Sequence, residues 1–259
     1  MKNNFISILI TNYNKSKFLN KSLKSVLNQN YRNYEIIIFD DNSLDNSLEI
    51  IKKYRNINLI QNNNKKNISP ALNQINGLYK AFNISKGNII CLMDSDDFFK
   101  KNKLMNINEY FNRNNKKKIV YNLPITEKKK FKIKTKKNNE IWPTIFPTSC
   151  ISLKRNEFDF FLKNIEKKKY KNLEIDARIV IFFMFYYNQY NILYKKLTFY
   201  NFDKDGITAK IPKFSANWWL RRYQAFEYLK FVKSKKNKKI RLSLDYLITT
   251  ILNFLIKKQ

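Results

Sequence analysis

In CLMDSDDFF (91–99) an apolar run ends in three carboxylates, Asp94, Asp96 and Asp97, spaced around one serine. Acids are scarce in this chain, 20 Asp plus Glu against 51 Lys plus Arg, so three within four positions call for a reason. Hard carboxylate oxygens suit Mg²⁺ or Mn²⁺, the protein giving one or two ligands and a diphosphate completing the shell. The competing reading is an Asp-rich turn capping a helix near 101–111. Adjacent like charges at a buried strand end repel, and a cation relieves that cost better than turn chemistry does. A second acidic pair, Asp40 and Asp41, closes YEIIIFDDNS (34–43), and the polar stretch TNYN (11–14) closes FISILI. Two acidic centres are what a nucleotide site needs, one for a metal diphosphate and one for hydrogen bonds to base or ribose. Asp41 and Ser43 are also suited to capping a helix that begins near Leu44.

Other chemistries are excluded by what is missing. The chain has no histidine, which removes imidazole as base or metal ligand. With three glycines, Gly77, Gly87 and Gly206, neither GxGxxG nor a Walker loop can be written. Cys91 and Cys150 have no CxxC spacing and lie in apolar runs, which reads as core thiols rather than a zinc site or disulfide.

The elements that must position these residues alternate in the first 125 positions. Buried strands read at 5–10, 34–39, 57–60 and 88–93, and helices at 17–29, 48–54, 71–82 and about 101–111. This βαβαβ order predicts a mostly parallel sheet with helices on both faces, and ligands gather where the strands' carboxyl ends open at a topological switch point. TNYN, DDNS and DSDD then share one rim. Farther on, a Lys-rich hairpin or loop is expected at 125–139, an irregular connector into a strand at 142–155, a helix at about 174–187 and a strand at 192–200. Two helices, ANWWLRRYQAFEYLKFVK and RLSLDYLITTILNFLIKK, close the chain. The division expected is 1–212 as catalytic domain, with halves 1–105 and 106–212, and 213–259 as a basic, aromatic helical extension.

Taken together, ISILITNYN, the DDNS after the second strand and SKGNIICLMDSDDFFKKNKL resemble the family 2 glycosyltransferases, strongly over about 5–105 and more weakly to about 205. The resemblance implies a GT-A fold and an inverting transfer of sugar from a nucleotide-diphosphate donor, UDP above other nucleotides, assisted by Mn²⁺ or Mg²⁺. Carried over by position, Thr11 and Tyr13 become nucleotide contacts, with Asn14 a weaker one. Asp41 bonds the base, with Asp40 its weaker neighbour. Asp94 lies near the ribose, Asp96 is the metal ligand, and Asp97 completes the signature as a weaker ligand. LEIDARIVIFF (173–183) is similar to the segment holding the family's catalytic base, which points to Asp176, with Glu174 second. An alternative task for Asp176 is to favour the helix N-terminus electrostatically. The pattern departs in SPALNQINGLYKAF (69–82), where Asn73 and Gln74 stand in place of the family's basic residue, which leaves the diphosphate contacts of that helix open.

The formal charge of +31 also fits a non-enzymatic binder of nucleic acid or anionic membrane, and aromatic residues interleave with basic ones in WWLRRY (218–223). Against it, no nucleic-acid motif is present and such a binder has no use for DSDD. AT-rich codons alone would also enrich Lys, Asn and Ile. A sugar nucleotidyltransferase would normally need a glycine-rich phosphate loop. The transferase reading implies a cell-envelope glycan or lipid-linked acceptor, no nucleic-acid partner, and a cytoplasmic address, since MKNNFISILI is too short for a signal peptide. For the C-terminal helices two readings stand side by side: contact with the inner face of the cytoplasmic membrane, or packing on the domain.

Overall fold

Alternation in the first strand decides how the sheet is covered. Ile6, Ile8 and Ile10 point to one face and Leu9 to the other, and all four are fully buried, so both faces must carry helices. The computed structural model describes residues 2–63, 69–127, 131–133, 143–201, 211–238 and 243–257.

In chain order the elements are β1 (Ile6–Asn12), α1 (Ser16–Leu27), β2 (Tyr34–Asp40), α2 (Ser47–Lys52), β3 (Asn58–Gln61), α3 (Pro70–Ile84), β4 (Ile89–Asp94), β5 (Phe98–Phe99), α4 (Lys103–Arg113), β6 (Ile119–Ile125), β7 (Ile151–Lys154), α5 (Arg155–Lys163), α6 (Ile175–Tyr186), β8 (Ile192–Phe199), α7 (Ala216–Ser234) and α8 (Leu244–Lys257). The strand order is β3-β2-β1-β4-β7-β6-β8-β5. The first four strands in that row run parallel, β7 is antiparallel to both neighbours, β6 and β8 are parallel, and β5 pairs antiparallel with β8. The expected mostly parallel α/β sheet is therefore present, with its reversal of direction at β7.

Helices α1, α2 and α4 cover one face through Leu19, Leu23, Val26, Ile51, Leu104, Ile107 and Phe111. The other face takes α3, α5, α6 and α7, with Phe158, Phe161, Ile179, Phe182, Phe183, Tyr228 and Leu229 in its core. At about 1.5–3 kcal/mol for each fully buried large apolar side chain, these two layers dominate the stability. α3 approaches β2 closely at Gly77, where a Cβ would sit 2.4 Å from the Phe39 ring. Cys91 and Cys150 are buried free thiols, as expected.

Three elements were not legible beforehand: β5, β6 and α5. In β6 the sequence IVYNLPI contains Pro124, which argues against an interior strand. In the structure the pairing of β6 with β8 shifts register at Leu123/Pro124, beside the residue that has no N–H to donate. The Lys-rich segment expected at 125–139 lies largely outside the described residues.

α7 docks through Ala225, Tyr228, Leu229 and Val232 into the same core as α6. The domain-packing reading therefore holds for α7, while α8 lies on α7 with most of its apolar side chains exposed.

Candidate active site

The chain steps from β1 through β2 to β3 on one side and then crosses back from β3 to β4 on the other side of β1, so the carboxyl ends of β1 and β4 form the switch point of the parallel half. Register puts Thr11 beside Asp94 and Asn12 beside Asp40. TNYN, DDNS and DSDD thus meet on one rim, as their strand-end positions imply.

Asp40 is fully buried and its carboxylate is consumed locally. Its Oδ1 accepts from Asn12 Nδ2 at 2.7 Å and from Ser43 Oγ at 2.6 Å, while Oδ2 accepts the Ser43 N–H at 2.9 Å. Asn14, at a positive φ of 49°, joins the same bracket: its N–H donates to Ser43 Oγ, and its Oδ1 accepts the Leu44 N–H at 2.7 Å. These bonds lock the first two rim loops together. Tyr13 stands out from this bracket, 44% exposed. Asp41 Oδ1 accepts from Asn62 Nδ2 at 2.7 Å, and Lys80 Nζ donates to Asn62 Oδ1. Helix capping falls to Asp45 rather than to Asp41 or Ser43: its carboxylate accepts the Ser16 and Ser47 N–H groups at the starts of α1 and α2.

The DSDD turn sends its acids in different directions. Asp94 Oδ1 accepts from Gln74 Nε2 of α3 at 2.7 Å, with Thr11 Oγ1 at 3.5 Å, and the Asp94 N–H donates to Ser149 Oγ. Asp96 reaches the surface and pairs with Lys15, Nζ to Oδ2 2.8 Å. Asp97 turns inward; it is fully buried and its Oδ1 accepts the Asn201 N–H at 2.8 Å. Beneath it Lys103, also fully buried, donates to Thr198 Oγ1 at 2.9 Å and to the Ser149 carbonyl, with its Nζ 3.5 Å from the Phe99 ring centre. Burial lowers the Lys103 amine to about 8, against the opposing pull of the Cys150, Cys91 and Asp97 charges.

Asp176 opens α6 and its Oδ1 accepts the Ala177 N–H at 2.7 Å, so it does favour the helix N-terminus. It also faces the rim. Burial first, then the Asp96 and Asp176 charges, push Asp94 up to about 7. Asp176 is itself pushed up to about 7 by burial and by Glu174, against the opposing pull of Arg221. Asp97 is raised by burial and then by Asp96 and Asp94. The Tyr200 phenol is raised by burial first and then by the charges of Asp97, Asp94, Asp176 and Asp96. No ready-made cage of three or more acidic, Cys or His groups exists among the described residues.

Sequence reasoning missed three supporting residues, Lys15, Tyr200 and Arg221, and left the task of Gln74 open. Lys15 and Tyr200 carry no motif. Arg221, in α7, pairs with Glu174, Nη1 to Oε1 2.7 Å, and so joins the C-terminal helix to the acidic pair of α6. Arg178, in the first turn of α6, has a structural task. Its fully buried guanidinium donates to the carbonyls of Leu173 (2.9 Å), Ile165 (3.0 Å) and Tyr170, which fixes the loop leading into Glu174 and Asp176.

The model of the family described as "Glycosyl transferase family 2" matches residues 7–192, from β1 through the start of β8. The chain belongs to glycosyl transferase family 2. Among relatives, an uncharacterized glycosyltransferase of Nostoc sp. is 32% identical over 126 residues, covering 47% of this chain and 37% of its own length. The Escherichia coli UDP-Glc:alpha-D-GlcNAc-diphosphoundecaprenol beta-1,3-glucosyltransferase WfaP is 37% identical over 103 residues, 39% of either chain. The Bacillus subtilis minor teichoic acid biosynthesis protein GgaA is 37% identical over 112 residues, 40% of this chain and 24% of its own. The matches thus span less than two fifths of these family members.

Solved structures extend the likeness over nearly the whole chain. Residues 1–349 of S. aureus TarS in complex with UDP-GlcNAc superpose with a TM-score of 0.63 at 13% identity, covering 97% of this chain and 71% of that TarS fragment. The Pyrobaculum calidifontis mannosyltransferase PcManGT, in complex with GDP-Man and Mn²⁺, does so with a TM-score of 0.58 at 13% identity, covering 98% and 70%. At such identity the likeness concerns the fold, which is the GT-A sheet of nucleotide-diphospho-sugar transferases.

Proposed function

We propose that the protein is an inverting glycosyltransferase that moves a sugar from a UDP-sugar to a hydroxyl of a lipid-linked or cell-envelope glycan. The observation that carries this reading is that Asp176, at the start of α6, lies near enough for its charge to act on Asp94, which closes β4 with Asp96 beyond it at the switch point of the sheet. A donor diphosphate and an acceptor base are needed within one bond's reach of the anomeric carbon, and this rim supplies acids from two separate elements for those two tasks.

On this reading Thr11, Tyr13 and Asp41 bind the nucleotide, with Asp94 at the ribose. Asp96 would hold Mn²⁺ or Mg²⁺, whose Lewis acidity offsets the charge that develops on the departing diphosphate. Lys15 then exchanges its ion pair with Asp96 for the incoming phosphates. Asp176 takes the proton of the acceptor hydroxyl as that oxygen attacks the anomeric carbon from the face opposite the leaving group. Held near 7 by burial and Glu174, it is basic enough to accept that proton and still partly ionised near neutral pH. One in-line displacement inverts the centre with no covalent enzyme intermediate, by the geometric logic that separates inverting from retaining glycosidases.

Uridine is favoured by WfaP, whose name gives UDP-Glc, and by the UDP-GlcNAc complex of TarS. The acceptor class is favoured by the diphosphoundecaprenol acceptor of WfaP and by the teichoic acid role of GgaA. On this reading the reaction takes place at the cytoplasmic face of a membrane. The test is to screen UDP-sugars against polyprenol-linked glycan acceptors and read the anomeric configuration of the product by NMR. Inversion that is lost in Asp176→Asn is expected; retention of the donor's configuration overturns the mechanism.

A further inference from the structure

α8 is amphipathic with its apolar side facing out. Leu244, Leu247, Ile248, Ile251, Phe254 and Leu255 follow helical spacing and are 43–74% exposed. The side turned toward the protein carries polar residues: Thr249 is fully buried and Asn253 nearly so. α8 is held in this orientation by specific contacts with α7. Arg222 pairs with Asp245, Phe226 packs edge-on against Tyr246 with centres 5.3 Å apart, and Lys230 donates to the Tyr246 hydroxyl. A contiguous exposed apolar stripe of this kind marks a surface meant to be covered.

We propose that this face of α8 lies in the headgroup–acyl boundary of an anionic bilayer. Charge selects the occupant. The chain carries a formal +31, so burying the stripe against a second copy would bring two strongly cationic bodies together, whereas an anionic leaflet attracts the same charge. Exposed Lys235, Lys236 and Lys238 lie in the segment before α8, and α8 itself has few charges to desolvate. An aromatic cluster extends the surface. Phe214, 70% exposed, packs on Trp218 and Trp219, and the Arg222 guanidinium lies over Trp218 while pairing with Asp245 at the start of α8. Amphipathic aromatic rings favour the interface. No helix among the described residues is long and apolar enough to cross a membrane, so the contact is peripheral. Because α7 also carries Arg221 to Glu174, docking through α8 would hold the acidic rim near the leaflet. The docking surface itself rests on the exposed face and the charge, independently of the transferase reading.

The test is sedimentation of the full chain with vesicles of phosphatidylcholine containing about one-third phosphatidylglycerol, beside pure phosphatidylcholine. Wild type is expected to bind the anionic vesicles. Leu247→Ser with Ile251→Ser, which leaves the charge unchanged, is expected to lose at least about tenfold in partitioning. Melting temperature and UDP titration on the same samples check that the variant is folded; a protein that binds vesicles and ignores UDP would count against the function above and not against the docking surface. Equal vesicle binding by wild type and variant would reduce the effect to bulk charge and overturn the proposal. So would absence of binding by wild type, or a wild-type dimer in analytical ultracentrifugation that the substitutions dissolve.

Discussion

Lys15 Nζ lies 2.8 Å from Asp96 Oδ2, so the carboxylate assigned to the cation is neutralised by a lysine from the β1 rim loop. The pair is partly exposed and worth up to about 1 kcal/mol, or roughly fivefold in affinity. Lys15→Gln should therefore tighten binding of Mn²⁺ alone by about threefold to fivefold while weakening the capture of UDP, since the same ammonium would meet its phosphates. Titrations with Mn²⁺ and with UDP separately check both; no change in either would mean that Lys15 is only a surface partner.

Asp176→Asn should lower kcat by about 10²–10⁴ and leave UDP affinity nearly unchanged, because a lost general base affects the step and not the donor. The pH profile of the wild type should rise through about 7, the value to which burial and Glu174 push Asp176, since the base works only when ionised. A flat profile from about pH 5 to 9 would count against Asp176 as base.

Arg221 favours the ionised forms of both Glu174 and Asp176. In Arg221→Gln that help is gone, so the Asp176 carboxyl rises further and the ascending limb moves to higher pH. Activity should fall most near neutrality and recover toward alkaline pH. A uniform loss at every pH would assign Arg221 to packing alone.

Lys103 is a fully buried cation set between Thr198, the Ser149 carbonyl and the inward-facing Asp97. Lys103→Met takes the buried donor away from the Ser149 carbonyl and Thr198 Oγ1 and should destabilise the fold by about 2 kcal/mol, the range for leaving a buried polar group without its partner. Urea unfolding measures it, and a midpoint equal to wild type would contradict that role.

The parallel half of the sheet was legible because each of its strands is a short apolar run ending in a polar cluster, and the end of one strand predicts where the others open. Thr11, Asp41, Asp94 and Asp96 follow from that rule together with the family resemblance. Asp176 required the resemblance, since nothing in LEIDARIV says that its helix will bring it to the β4 rim. Arg221 and Tyr200 could not be read at all, because pairing between Glu174 and α7, or burial within the field of acids from other elements, is set by tertiary packing and leaves no local pattern. β6 was hidden by Pro124, which argues against an interior strand and here sits at a register shift of the ladder.

The central claim is that DSDD forms a site for a nucleotide diphosphate with a cation. Calorimetric titration with UDP, with and without Mn²⁺, of wild type beside Asp96→Asn and Asp176→Asn addresses it most directly. Mn²⁺-dependent binding in wild type and Asp176→Asn that disappears in Asp96→Asn is the predicted result. Metal-independent binding of equal strength in all three, or no binding of UDP in any of them, would contradict it.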